Sequence, residues 1–300
     1  MNLKKTLALL LAATMGLALT ACGGTSEEAP AEAEAKEESS EAAEAPEAKE
    51  ETESSGASEL VVFAAASLTE TVTELAESYE AEHEGVKIVC NFDSSGTLKT
   101  QIEEGTDCDL FISAGQKQMD QLDIQADKEK NPDGLDFVNS ETRVDFLENT
   151  VTLCVPEGNP KGIESFDQLA EKLQNEDVLM CMGNGDVPVG QYTQKILTSY
   201  NLNEEELAQA GKITYGTNVK EVATQISEGS VDCGVIYCTD AYSHNLTVVD
   251  SATSEQCGRV IYPAAVMKNS KDTETAQDFL NYLKTEKAME TFKNVGFSIP

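Results

Sequence analysis

From residue 60 onward, short apolar runs alternate with stretches of helical periodicity. LVVFAA precedes LTETVTELAESYEAE, VKIVCNF precedes TLKTQIEEG, and CDLFIS precedes QKQMDQL. Short apolar runs followed by 3.6-residue spacing predict βαβ units, with parallel sheets covered by helices on both faces. The rhythm breaks at 127–146, DKEKNPDGLDFVNSETRVDF, which reads as a long loop with a turn at Asn131 to Gly134. It then restarts with NTVTLCVPEG, SFDQLAEKLQ, VLMCMG, GQYTQKILTSY, KITYG, VKEVATQISEG and CGVIYC. The extended run VIYPAAVMK and two helical patterns, TETAQDFLNYLK and EKAMETFKNV, close the chain.

Two such sets, with a strand-like link at each junction and a C-terminal return, predict two α/β lobes between which the chain crosses more than once. A ligand would sit in the cleft, outside the carboxyl ends of the parallel strands.

Four strand-to-helix junctions consist largely of small or hydroxyl residues: Ala65-Ala66-Ser67-Leu68, Ser94-Ser95-Gly96-Thr97, Val187-Pro188-Val189-Gly190 and Gly216-Thr217-Asn218-Val219. The first backbone N–H groups of a helix lack intrahelical partners and stand at the positive end of its dipole, so an oxyanion is favoured there. Any one junction taken singly reads as an ordinary helix cap. Repetition across both lobes makes the four a candidate site. SSGTL, residues 94–98, lacks the G-x-x-x-x-G-K-[ST] spacing of a Walker loop. Tyr237, at the end of the apolar run CGVIY, reads equally well as a core tyrosine or as a ligand contact.

Charge narrows the partners. The formal net charge is -33, from 54 acidic and 21 basic side chains. The stretch 27–59, EEAPAEAEAKEESSEAAEAPEAKEETESSGASE, holds 13 of the acidic and 2 of the basic groups and too little apolar surface to order itself. Lys4 and Lys5 lie further upstream, which leaves 41 acidic and 17 basic groups for residues 60–300. Nucleic acid and anionic membrane are poor partners for such a surface.

The first 22 residues, MNLKKTLALLLAATMGLALTAC, join two lysines to an apolar run too short to span a bilayer, which is the pattern of an export signal. Its end, Leu19-Thr20-Ala21-Cys22, resembles the bacterial lipobox, which implies lipidation of Cys22 and a hold on a membrane surface. The expected organisation is a signal at 1–22, a disordered acidic tether at 23–58, a first lobe from 59–150 plus about 263–300, and a second lobe at about 151–262. Seven further cysteines, an odd number, lie mostly in apolar runs and read as small buried hydrophobes, with one or two disulfides left open.

Enzyme readings fare worse. A Ser-His-Asp hydrolase would have to use His83 or His244, and no G-x-S-x-G elbow occurs. His83, in EAEHEG, reads as a surface residue. Cys233, Cys238 and His244 have C-x4-C-x5-H spacing, but on one strand the two sulfurs would face opposite sides, which disfavours zinc.

The ordered motifs FAAASLTE (63–70), FDSSGTLKTQIEEGTDCDLFISAGQKQMDQL (92–122), NTVTLCVPEGNP (149–160), GDVPVGQYTQKIL (185–197), GVIYCTDAY (234–242), YPAAVMK (262–268) and VGFSIP resemble the molybdate-binding proteins of bacterial ABC importers. The resemblance implies an α/β, two-lobed periplasmic binding protein fold of type II, each lobe a mostly parallel sheet flanked by helices. It implies that hydroxyls of Ser67, Ser95 and Tyr237, and backbone N–H groups of Ser67, Ser95, Val189 and Val219, donate to one tetrahedral oxyanion, molybdate or tungstate. It further implies ABC permease subunits as partners, a monomer lipid-anchored outside the cytoplasmic membrane or periplasmic, no cofactor, no catalysis, and molybdenum bound only as molybdate. Two rivals are the same fold binding sulfate or another oxyanion, and an exported hydrolase of phosphate or sulfate esters. Alternation along NFDS predicts that Asp93 faces away from the ligand.

Overall fold

The computed structural model describes residues 58–300, so the expectations for the signal, Cys22 and the tether fall outside the described residues. Among the described residues there are ten strands: β1 Ser58–Ala65, β2 Val86–Asp93, β3 Leu110–Ile112, β4 Val144–Asn149, β5 Val151–Val155, β6 Met180–Gly183, β7 Ile213–Gly216, β8 Cys233–Tyr237, β9 Thr247–Ser251 and β10 Val260–Val266. They form two five-stranded sheets, in the orders β2-β1-β3-β10-β4 and β7-β6-β8-β5-β9.

The two sheets share one layout. In each, the first three strands are parallel and the fourth is antiparallel to both its neighbours. Those fourth strands, β5 and β10, are the ones that arrive from the other lobe. β5 follows β4 after the single residue Thr150, and β10 follows β9 after a short link. A strand arriving from the other lobe needs no crossover helix to reach its neighbour, so nothing holds it parallel. The return to the first sheet starts at Val260, slightly ahead of the expected boundary near 263.

The helices are α1 Thr69–Glu82, α2 Ser95–Glu103, α3 Gln116–Leu122, α4 Phe166–Asn175, α5 Pro188–Ser199, α6 Glu204–Gln209, α7 Val219–Ser227, α8 Cys238–Ser243, α9 Ser254–Cys257, α10 Thr273–Leu283 and α11 Glu286–Asn294. Their buried residues follow helical spacing, as with Val189, Thr193, Ile196 and Leu197 on α5 and Val219, Val222, Ala223 and Ile226 on α7. Each Val, Leu or Ile so buried stabilises by about 1.5–3 kcal/mol. β5, β6 and β8 are buried at every position, as expected for strands covered on both faces.

Two local expectations change. The 127–146 segment ends in a strand, because β4 starts at Val144. The rest of it is held by Arg143, which pairs with Asp120 and Asp123, and by the Asn131 amide, which donates to the Asp123 and Leu135 carbonyls. DCGVIYC is not one strand, because β8 stops at Tyr237 and Cys238 opens α8. The seven cysteines from Cys90 to Cys257 are unpaired and five are buried. Burial pushes the Cys90 and Cys154 thiols up to about 11, where they stay protonated and inert.

Candidate functional site

Each of the four small-residue junctions opens at the carboxyl end of a parallel strand. Ser67 lies in the 3-10 turn Ala66–Leu68 between β1 and α1, Ser95 is the first residue of α2 after β2, Val189 is the second residue of α5 after β6, and Val219 is the first residue of α7 after β7. Tyr237 ends β8. The structure brings Ser67, Ser95, Val189, Val219 and Tyr237 together on the wall of one cavity between the lobes. Among the described residues, no Lys, Arg or His lines it.

The lobes are shut on this cavity. A Cβ placed on Gly96 of α2 would lie 2.2 Å from the Asp186 carbonyl oxygen, and one on Gly115 would lie 3.3 Å from Pro188. Both pairs join the first lobe to the second. Across the mouth, Lys220 of α7 pairs with Glu70 of α1, and the Asn218 amide donates to Asp93 at 3.3 Å.

The hydroxyls are arranged as donors. Ser95 is fully buried, and its Oγ accepts the Ala114 N–H at 2.9 Å, so its own hydrogen remains for the cavity. Tyr237 is 1 % exposed, and its Oη is buried with no hydrogen-bond partner. Burial, followed by the neighbouring Tyr262, holds its hydroxyl well above the ordinary tyrosine range, so it stays protonated. A buried hydroxyl without a partner is costly, and an acceptor in the cavity would relieve it. At the helix starts, Val187 gives α5 no side-chain cap, whereas Ser94 and Asn218 cap α2 and α7 through the Thr97 and Glu221 N–H groups. The earlier N–H groups of these turns, Ser95, Val189 and Val219 included, lack intrahelical acceptors.

Asp93 does not turn away as alternation predicts. It lines the cavity, where its Oδ1 accepts from the Ser94 N–H at 2.7 Å and from Asn218 Nδ2. β2 ends at Asp93, and the backbone turn there cancels the two-residue period. Lys99 pairs with Glu103 one helical turn on and is not a wall residue.

Sequence reasoning passed over the layer behind the wall. Tyr262 of β10 and Asn149 of β4 are buried, with Tyr262 Oη 2.9 Å from Ser67 Oγ and Asn149 Nδ2 donating to Tyr262 Oη at 3.1 Å. Asp240 of α8 is also buried, with Oδ2 unpartnered, and burial pushes its carboxyl up to about 8. The available signal was the tyrosine opening YPAAV, because a tyrosine inside an otherwise apolar run needs a partner for its hydroxyl. Cys233, Cys238 and His244 form no metal cluster, and no group of three or more such ligands occurs among the described residues.

Residues 60–298 match the family described as bacterial extracellular solute-binding protein, and the chain belongs to that family. YvgL of Bacillus subtilis strain 168, a lipoprotein named as a candidate ABC transporter substrate-binding protein, is 31 % identical over 82 % of this chain and 89 % of its own. The molybdate-binding protein ModA of Haemophilus influenzae is 29 % identical over 81 % of this chain and 91 % of its own. The periplasmic molybdate-binding protein of Azotobacter vinelandii shares the fold, with a TM-score of 0.67 at 20 % identity over 80 % of this chain and 99 % of that one. The two-lobed α/β architecture is therefore that of a periplasmic binding protein of type II, and the family's work is solute binding outside the cytoplasm.

Proposed function

We propose that this protein captures molybdate, and tungstate with it, in the interlobe cavity and delivers the ion to an ABC permease. The observation that carries this reading is the donor character of the wall. Ser95 and Tyr237 each keep a hydrogen for the cavity, helix starts supply N–H groups, and no cation lines it.

Molybdate at neutral pH is a dianion without a proton, so it asks only for donors. Fixed N–H and O–H dipoles in a closed, water-poor cleft supply the attraction without a counterion. Monohydrogen phosphate brings a proton that wants an acceptor, and leaving it unpaired costs about 1–3 kcal/mol. Among the described residues Asp93 is the one acidic side chain on the wall; its Oδ1 takes two donors, and its Oδ2 is the one carboxylate acceptor the wall offers such a proton. Closure of the lobes is the working step, and no residue set for catalysis is assigned.

We assign Cys22 as the lipid anchor and 23–58 as the tether. Cys22→Ser should release the protein from the membrane fraction of expressing cells.

Calorimetric titration of the purified protein with molybdate, tungstate, sulfate and phosphate tests the main reading. Molybdate and tungstate should bind tightly and alike, with phosphate weakest. A preference for phosphate, or no binding by any of the four, would refute it. A preference for sulfate would keep the fold and the donor wall but reassign the ligand.

A further inference from the structure

Behind Ser67 the hydrogen bonds run in one direction. The Asn149 amide is oriented by its surroundings, because Oδ1 accepts the Thr150 N–H at 2.8 Å and the Cys238 thiol at 3.2 Å. Its nitrogen therefore faces the other way and spends both hydrogens, one on Thr239 Oγ1 at 3.0 Å and one on Tyr262 Oη at 3.1 Å. Tyr262 Oη thus already accepts, and Ser67 Oγ at 2.9 Å is the acceptor within reach of its own hydrogen. Tyr262 is fully buried, and burial, with Asp240 as the next cause, holds its hydroxyl well above the ordinary range, so that hydrogen is always present.

Ser67 Oγ then accepts from Tyr262, and its single hydrogen is left to point into the cavity. The reverse polarity, with Ser67 donating to Tyr262, would leave the tyrosine hydrogen without an acceptor and Ser67 with nothing to give a ligand.

We propose that Tyr262 and Asn149 are positioning residues that fix Ser67 as an obligatory donor, and that this relay helps the site reject oxyanions carrying a proton. The proposal rests on the oxyanion reading above. Ser95 reaches the same polarity through the main-chain N–H of Ala114, which no substitution short of proline removes, whereas Ser67 depends on two side chains. Freed from Tyr262, the Ser67 hydroxyl could rotate to accept the proton of monohydrogen phosphate. The relay also starts where the lobes meet. Asn149 precedes Thr150, the one residue between β4 and β5, while Thr239 and Cys238 belong to the second lobe.

The test is the ratio of molybdate to phosphate affinity, measured by calorimetry and by competition at a pH where phosphate is mainly the monohydrogen dianion. Both ligands then carry the same charge, and a general weakening of the pocket cancels in the ratio. Tyr262→Phe leaves Asn149 Nδ2 its bond to Thr239, so the substitution orphans no donor entirely. It should weaken molybdate about five- to tenfold and leave phosphate unchanged or improved. In a Ser67→Ala background the same substitution should leave the ratio where it is.

Should Tyr262→Phe fail to fold, Asn149→Asp asks the same question, because a carboxylate there would draw the tyrosine hydrogen away from Ser67. Equal weakening of both ligands, or a ratio that shifts as much without Ser67 as with it, overturns the relay. If the unsubstituted protein prefers sulfate, the series is read as sulfate against phosphate with the same expectation, since sulfate also lacks a proton. An unsubstituted protein that binds no oxyanion overturns the functional reading and the relay together. Molybdate binding with an unmoved ratio in Tyr262→Phe overturns the relay alone.

Discussion

The two lobes carry the same sheet layout yet show the cavity different chemistry. The first lobe's wall is hydroxyl-bearing, with Ser67 and Ser95 placed at helix starts. The second lobe presents Val187, Pro188, Val189 and Val219, whose apolar side chains pack while their backbone stands at helix N-termini, and adds one hydroxyl from Tyr237. One wall therefore depends on side chains that a substitution can delete. The other depends on where the backbone runs, and only changes that move the chain should disturb it.

The largest expected effect comes from keeping the walls apart. Gly96→Ala would put a methyl carbon 2.2 Å from the main-chain oxygen of Asp186 in the opposite lobe, a clash that only lobe opening relieves. Affinity for the oxyanion should fall about a hundredfold or more, while the melting temperature of the ligand-free protein hardly changes. Gly190→Ala is the contrast. Its Cβ would lie 2.2 and 2.3 Å from the carbonyl oxygens of Gly183 and Asn184 in its own lobe, so it should lower the melting temperature of the free protein.

Next come the individual donors. Ser95→Ala and Tyr237→Phe should each weaken molybdate about five- to tenfold, as expected for one neutral hydrogen bond, without unfolding the protein. Val189→Ala should stay within about twofold, because its N–H is untouched and only packing changes. If Val189→Ala proved as harmful as Ser95→Ala in the same titrations, the contrast between a side-chain wall and a backbone wall would collapse.

Most of the fold was legible because each parallel strand is a short apolar run followed by a helix whose buried face keeps strict spacing. What was missed is short or turns on a local event. α8 starts inside what reads as one apolar run, because the break at Cys238 follows from Tyr237 turning into a helix cap and not from a Gly or Pro. β9, TVVDS, is an edge strand with much of its surface exposed, so its apolar content is too thin to announce it. At the site, the junction residues were legible since helix starts write themselves as small and hydroxyl residues. Asp93 was misplaced because alternation holds only while the strand lasts. Asn149 and Tyr262 lie more than one hundred positions apart in the chain and 3.1 Å apart in space, and no periodicity predicts such a pair.

A smaller effect separates the walls by pH. Asp240 sits behind both tyrosines, and its carboxyl is pushed up to about 8 by burial, with Lys220 opposing and Glu70 reinforcing the shift. The folded state thus keeps a proton that the unfolded chain releases near the ordinary aspartate value, so the folded protein binds more protons between those two limits. Stability should fall as pH rises from about 4 to about 8 and level off above, and Asp240→Asn should flatten that slope in denaturant titrations. Above pH 8 the ionised carboxylate should repel a dianion bound as proposed. Affinity should then drop about threefold by pH 9 in the unsubstituted protein and stay level in Asp240→Asn.

The smallest effect is expected where charge is most visible. Lys220 and Glu70 join α7 to α1 across the mouth of the shut cleft, so they are in a position to hold the lobes together. Their side chains are 28 % and 51 % exposed, and an exposed pair gains little in water while it loses rotamer freedom and is screened by salt. Lys220→Met should therefore change molybdate affinity by no more than about twofold at physiological ionic strength, and the difference should shrink further as salt is added. A tenfold loss that salt abolished would mean that closure is driven by this ion pair, and that the cavity donors only select among anions already trapped. With the loss at twofold, the neutral dipoles of the two walls would be what holds the proposed dianion, as a protein of net charge -33 requires where no cation among the described residues lines the site.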